Sequence, residues 1–382
     1  VRQQARALLD AHWREPGFCV PNATTYPWQW LWDSCFHAVC WGHLGEGDRG
    51  VTELQNALAH QRADGFVPHM TYWHDGTTHA EFWGRPDTSA VTQPPMYGHA
   101  LAELDRLGVD LPDELVERAT RGLWFLLAER SAAGHGPVIV HPWESGCDDS
   151  ARWDAWCPPR WTFDRWKAMK GELVEAIGEG SAGGSPCSSS RFEVASAGFG
   201  ALVAFNARDL ADVTGDRALR DAADEIVERL AGRWDPSRRT WVDHVVVGPP
   251  ATAGVRTLDA LLPVLVSADD AAVEGALADV VDDRAFGGSF GPAATHRLEP
   301  TFDPTAYWRG PAWPQLTYLL WVAADRRGAQ SVAATLSARL IAGARQSGWA
   351  EYWHPDTGDG LGAVPQTWAA LAAVVTGQAP RA

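Results

Sequence analysis

Carboxylates and indoles crowd into a few short stretches of this chain. The densest is HPWESGCDDSARWD at 141–154, where Glu144, Asp148, Asp149 and Asp154 fall within eleven residues beside Arg152 and two tryptophans. Neighbouring carboxylates oppose each other's ionisation, so such a group keeps a proton close to neutral pH, as a general acid requires. A second stretch, EYWHPDTG at 351–358, sets Glu351 among aromatics just after the helix-ending Ser347-Gly348, where a carboxylate could activate water. YPWQWLWDSCFH at 26–37 places Trp28, Trp30 and Trp32 next to Asp33, an acid suited to buried hydrogen bonds or to sugar hydroxyls. TSAVTQPP at 88–95 holds Gln93 on a backbone restricted by two prolines. YWRGPAW at 307–313 adds Tyr307, Trp308, Arg309 and Trp313. Singly, each acid could cap a helix or pair with an arginine, and each indole could sit in a core. Together they describe an aromatic-walled site with two working carboxylates.

Composition narrows the ligand. Twenty-one tryptophans in 382 residues exceed what packing asks for, and flat indole faces suit either nucleobases or the C–H faces of sugars. The net charge of −16 removes the first choice, because a nucleic-acid binder needs a basic footprint. No run of 18 apolar residues suggests a membrane span, and the amphipathic opening VRQQARALLDAHW has no signal-peptide character. Cysteines 19, 35, 40, 147, 157 and 187 show no metal-type pairing, so the expectation is a cytoplasmic protein with reduced thiols, no metal and no cofactor. No feature bears on oligomeric state.

These loops need a scaffold, and the apolar periodicity is helical almost throughout. Leu115, Ala119, Leu123, Leu126 and Leu127 form one stripe, opened by Pro112-Asp113-Glu114. Stripes at 202–213 and 219–230, joined through Thr214-Gly215-Asp216, predict a helical hairpin, and similar patterns recur at 256–281, 315–326, 329–346 and 365–376. Short strands are expected at 137–140 and 240–247. At about 32 residues per unit, twelve helices fit the length, as one all-α toroid of six hairpins, (α/α)6, with its long loops (17–34, 64–98, 135–165, 284–314 and 347–364) gathered at one end. The whole of 1–382 reads as a single catalytic domain. Residues 155–192, with the Gly/Ser-rich 178–190, read as an excursion or flap over the site.

The motifs YPWQWLWDSCFHA, DGFVPHM, TSAVTQPP, HPWESGCDDSARWD, YWRGPAW and EYWHPDTGDGLG, with Trp368 beyond, resemble in order those of glycoside hydrolase family 63, in the branch that cleaves mannosylglycerate and glucosylglycerate. Trehalases are more distant relatives. The resemblance runs from about residue 20 to residue 370. It implies an (α/α)6 barrel and metal-free, inverting hydrolysis of a small α-glucoside or α-mannoside, with Asp148 as general acid and Glu351 as general base. It further implies a sugar-contacting wall of Tyr26, Trp30, Trp32, Asp33, Gln93, Trp143, Arg152, Tyr307, Trp308, Arg309 and Trp313. Asp149 is expected to bond backbone or Arg152. The sequence departs from the family after Asp154, where the acidic aglycone would be held; Arg160, Arg165, Lys167 and Lys170 lie there, and Arg160 and Arg165 are the candidates for its carboxylate. Alternatives are a trehalase-like or oligosaccharide α-glucosidase acting on a neutral disaccharide, and a non-catalytic sugar-binding protein.

Overall fold

The computed structural model describes residues 1–179, 184–249 and 254–376. Its helices are α1 (Arg2–His12), α2 (Leu31–His43), α3 (Gly47–Ala57), the single turn α4 (Ala80–Trp83), α5 (Tyr97–Arg106), α6 (Asp113–Ala128), α7 (Phe163–Val174), α8 (Ala197–Thr214), α9 (Arg217–Ala231), α10 (Asp270–Val281), α11 (Pro314–Arg326) and α12 (Gln330–Gln346). Two longer 3-10 helices, Asp259–Leu265 and Thr367–Ala373, complete the set. Strands among the described residues are two to four residues long and pair only as two-stranded ribbons.

Six of these elements close a ring. α2 packs on α5, α5 on α8, α8 on Asp259–Leu265, that helix on α11, α11 on Thr367–Ala373, and Thr367–Ala373 back on α2. Outside it, α1, α3, α6, α9, α10 and α12 each lean on the inner ring. Burial follows the two layers. Every residue of α2 but His43 is buried, whereas α9 buries only Leu219, Ala223, Ile226, Val227 and Leu230, the stripe of an amphipathic helix. The arrangement is the (α/α)6 toroid.

Local chemistry sets the ends. Ser196 and Asp216 accept the Phe199 and Leu219 amides at the starts of α8 and α9, so the hairpin between them turns in two residues. The helix expected across 256–281 is split. Pro263 lacks the N–H needed in a helix interior, and Asp269 accepts the Ala272 amide to begin α10 as a separate, outer helix. Residues 365–376 form a 3-10 helix over Thr367–Ala373 only. The strand expected at 240–247 is also divided. Thr240–Trp241 pairs with Trp234–Asp235, His244–Val247 pairs with Glu193–Ala195, and Asp243 between them turns to Arg152 and to the Ala197 amide. Residues 137–140 contribute the end of the Gly136–Pro137 strand and a bridge from Ile139 to Val194. Within 155–192 stands α7, whose Trp166 and Lys170 are buried; residues 180–183 of the Gly/Ser-rich segment lie outside the described residues.

Candidate active site

One end of the toroid opens into a cavity of about 690 Å³. The ring explains where it lies: Trp32 and Asp33 are in the first turn of α2, Gln93 precedes α5, Tyr307 and Trp308 precede α11, and Gln366 and Trp368 bracket the start of the last 3-10 helix. Several inner helices are thus entered from the cavity side, and their entry loops supply its wall.

Asp148 and Asp149 reach the lining from the 141–149 loop, which is held from beneath. Glu144, the first acid of the cluster, is fully buried and not part of the lining. It forms a two-pronged ion pair with Arg130 (2.6 and 2.8 Å) and accepts the amides of Val140 and Thr92. The loop then turns at Gly146, whose φ is +73° and whose Cα lies so close to the Trp32 ring that a β-carbon would stand 2.6 Å from it. On the far side Lys170 of α7 closes the arrangement. Its ammonium is 2.5 Å from Asp148 Oδ2 and also donates to Asp149 Oδ1. Asp149 therefore bonds Lys170 rather than Arg152. Burial, reinforced by the neighbouring Asp148 charge, raises the Asp149 carboxyl to about 7 against the opposing pull of Lys170. Asp149 thus keeps a proton close to neutrality beside Asp148.

Glu351 comes from the loop after α12. Its Oε1 accepts the Tyr26 hydroxyl at 3.0 Å and its Oε2 the Ala363 amide at 2.9 Å. Gly362 makes this possible. Its φ is +69°, and a β-carbon there would lie 2.4 Å from Glu351 Oε2. Burial pushes the Glu351 carboxyl up to about 7, while the bonds from Ala363 and Tyr26 hold it down. Burial, with the Glu351 charge adding to it, also holds Asp33 well above the usual carboxylate range.

Tyr26, Trp30, Trp32, Asp33, Gln93, Trp143, Tyr307 and Trp308 line the cavity with Asp148 and Glu351. Trp308 does so on a backbone with φ +59°, a costly conformation for a bulky residue, with its ring 3.6 Å from Trp313 and only 4° off parallel. Four buried polar atoms of lining residues have no partner within the protein: Trp30 Nε1, Trp308 Nε1, Asp33 Oδ1 and Gln366 Oε1. Unpaired buried donors and acceptors are costly, and at a cavity wall they suit a ligand rich in hydroxyls.

Other expected site residues lie elsewhere. Arg152 is buried between Asp243 and Asp259, and there clamps the 141–154 stretch to the entry of α8 and to the Asp259–Leu265 helix. Arg309 pairs with Asp154 and lies 3.5 Å over the Trp161 ring. Trp313 backs the wall, stacked between Trp308 and Tyr352. Arg165 donates to the Arg160 and Pro158 carbonyls, and neither Arg160 nor Arg165 reaches the lining. The cations that do are Lys167 and Lys170. A signal in the sequence marks them: they are the only two lysines of the chain, among thirty arginines. Trp28, His69 and Tyr352, all inside quoted motifs, also line the cavity, as do Tyr72, His79, Phe82, Trp83 and Phe163, which had no separate mark in the sequence.

Away from the cavity, Cys19, His37 and Glu53 bring ligand-type atoms within 4.8 Å of one another. Glu53 there accepts the Cys19 amide, the Ser34 hydroxyl and a bond with His37, while His37 also bonds Thr367, so hydrogen bonds already account for the group. None of the six cysteines forms a disulfide. No helix among the described residues is long and apolar enough to cross a membrane.

Comparison with known proteins gives the same outline. The family model described as the mannosylglycerate hydrolase MGH1-like glycoside hydrolase domain matches residues 26–369. The mannosylglycerate hydrolase of Thermus thermophilus is 27% identical, over 94% of this chain and 96% of its own. The glucosylglycerate hydrolase of Mycolicibacterium hassiacum is also 27% identical, over 91% of each chain. A crystal structure of a GH63 mannosylglycerate hydrolase from Thermus thermophilus, solved with Tris and D-glycerate, matches with a TM-score of 0.81 and 25% identity over 98% of this chain and 99% of that one. A bacterial glucoamylase, at 15% identity and a TM-score of 0.57, shares the fold. The chain belongs to the mannosylglycerate hydrolase MGH1-like family, and it is a glycoside hydrolase.

Proposed function

We propose that the enzyme hydrolyses an α-glycoside joining a hexose to a small hydroxy acid of the glycerate kind, with inversion at the anomeric carbon. The observation that carries this reading is the company Asp148 and Glu351 keep. Both face one aromatic cavity, Glu351 with its own carboxyl raised to about 7 and Asp148 beside Asp149, whose carboxyl is raised to about 7, and Lys167 lies on the same lining without an ion pair among the described residues. Lys170 is engaged by the aspartates, so Lys167 is the cavity cation left to meet a substrate carboxylate. Relatives that act on mannosylglycerate and glucosylglycerate, and related structures solved with D-glycerate and with glucose, support the same choice.

In this mechanism Asp148 gives its proton to the glycosidic oxygen as the bond from that oxygen to the anomeric carbon breaks. Glu351, ionised, takes a proton from the water whose oxygen bonds to the opposite face of that carbon. Lys170 bonds both Asp148 and Asp149 and holds Asp148 in place. Trp30, Trp308, Asp33 and Gln366 meet the hydroxyls.

The test is sugar release from glucosylglycerate, mannosylglycerate, trehalose, kojibiose, nigerose and maltose, with NMR of the anomer first formed. Cleavage confined to the sugar-glycerates, with a β-anomer released, is expected. Cleavage of a neutral disaccharide alone would remove the acidic aglycone, and release of the α-anomer would remove inversion.

A further inference from the structure

Only two phenylalanines among the described residues are substantially exposed, Phe82 at 45% and Phe163 at 52%, and both line the catalytic cavity. An exposed aromatic pair at the mouth of a polar-floored cavity costs solvation unless something covers it.

α7 shows how far out this mouth lies. Phe163, Lys167 and Lys170 are spaced four and three residues apart and all line the cavity, so one face of the helix runs along it. Lys170 marks the inner end by its bond to Asp148, where the glycosidic oxygen must sit. At 1.5 Å per residue, Lys167 lies about 4–5 Å further out and Phe163 about 10 Å. In a glycerate glycoside the carboxyl carbon is close to the glycosidic oxygen, which suits Lys167. Nothing in glycerate reaches Phe163. Phe82 joins the same side of the cavity through Trp143: the Lys170 ammonium lies 5.8 Å from the Trp143 ring, and Trp143 meets Phe82 at 6.2 Å. Volume agrees, since a hexose joined to a three-carbon acid needs roughly 250 Å³ at protein packing density, well under half of the 690 Å³ present.

We propose that Phe163 and Phe82 form an outer aglycone subsite for a second pyranose ring, carried on the remaining hydroxyl of the acid that Lys167 receives. The inference rests on the sugar-acid reading above. It makes the preferred substrate a hexosyl-acid extended by a further sugar, with the apolar face of that sugar on Phe163.

The experiment compares a hexosyl α-glycerate with the same compound bearing a second hexose on its free glycerate hydroxyl. Hydrolysis is followed by hexose release, and binding to the Glu351→Gln enzyme by tryptophan fluorescence. The extended compound is expected to show a KM and a Kd at least about tenfold lower than the short one. Phe163→Ala should bring that ratio close to one, and Phe82→Ala should reduce it. Leu298→Ala, an exposed apolar residue outside the cavity, should leave it unchanged. If the short compound is cleaved and the extension gives no gain, or the gain survives both phenylalanine substitutions, the outer subsite is wrong and the sugar-acid reading stands. If neither compound is bound or cleaved, both are wrong.

Discussion

Lys170 Nζ lies 2.5 Å from Asp148 Oδ2 and donates in the same place to Asp149, so a single ammonium from α7 ties together the two carboxyls of the proposed acid. Its main-chain carbonyl also bonds His141 at 2.9 Å, fixing the start of the loop that bears them. Removing this cation leaves two buried carboxylates without compensation, and they hold their proton more tightly. Lys170→Met is expected to lower kcat by roughly 10²-fold through misplacement of the acid and to move the alkaline limb of the pH profile upward. An unchanged alkaline limb would mean that Lys170 only braces the loop.

The two carboxyl centres set the pH optimum. Glu351 must be ionised to take the proton from water, so activity falls as pH drops below its value of about 7. The acid side must retain the proton held at Asp149, so activity also falls as pH rises above the Asp149 value of about 7. A narrow bell in kcat/KM near neutrality is expected. The Tyr26 hydroxyl favours ionised Glu351, so Tyr26→Phe should shift the acidic limb upward and leave the alkaline limb in place. Movement of both limbs together would contradict the assignment of separate roles.

Glu351 also bears on stability. Its carboxyl is raised on folding from 4.5 to about 7, so the folded state holds the extra proton between those values. Stability contributed by this group is therefore present below pH 4.5 and lost as pH rises to 7, by about 3 kcal/mol at most. Glu351→Gln, which can keep a bond to both Tyr26 and the Ala363 amide, is expected to be inactive yet more stable than the parent at pH 8. The gain should disappear near pH 4.5. Thermal melts at the two values test this, and equal melting shifts at both would exclude it.

How much of this was legible in the sequence depended on whether a residue's partner was local. The ring of helices and the placement of Asp148, Glu351, Asp33 and the Trp30–Trp32 wall on one cavity could be expected from short stretches in which carboxylates and indoles are adjacent. Arg152 and Arg309 looked like site residues because an arginine in an acid-rich loop reads the same whether it meets a ligand or clamps the loop. What decides is Asp243 and Asp259 for the first, 91 and 107 residues away, and Asp154 for the second, 155 residues away. Lys167 and Lys170 lay in a run that also contains Arg160 and Arg165; Arg160 precedes α7, and the helical phase of α7 separates the two lysines from Arg165. Their rarity in the chain was the available clue. Lysine, a compact charge on a flexible stem, reaches between two carboxylates where a planar guanidinium does not fit as readily.

Glu144 sharpens the distinction between acids that react and acids that build. It is fully buried, both of its oxygens are taken by Arg130, and it accepts the amides that orient Val140 and Thr92, the latter next to Gln93. Removing one partner strands the other charge. Arg130→Met or Glu144→Gln is expected to cost about 3–5 kcal/mol of stability, whereas Asp148→Asn should abolish activity with little loss. Chemical denaturation of the three variants separates the cases, and a Glu144→Gln enzyme as stable as the parent but inactive would place Glu144 in the reaction instead.

Gly362 offers the sharpest steric test of the base. The residue lies at φ +69°, where a side chain is strained, and an added methyl would stand 2.4 Å from Glu351 Oε2 and 2.5 Å from the Tyr352 ring. The methyl cannot be accommodated without moving the carboxylate away from the Ala363 amide that favours its ionised form. Gly362→Ala is therefore expected to do more than destabilise. It should reduce kcat by about 10²-fold and raise the acidic limb of the profile, while Gly328→Ala, at φ +70° with no atom within 4 Å of an added β-carbon, carries backbone strain alone and should leave the profile unmoved. Equal effects of the two substitutions on the pH profile would show that the position of Glu351 does not depend on the space Gly362 leaves open.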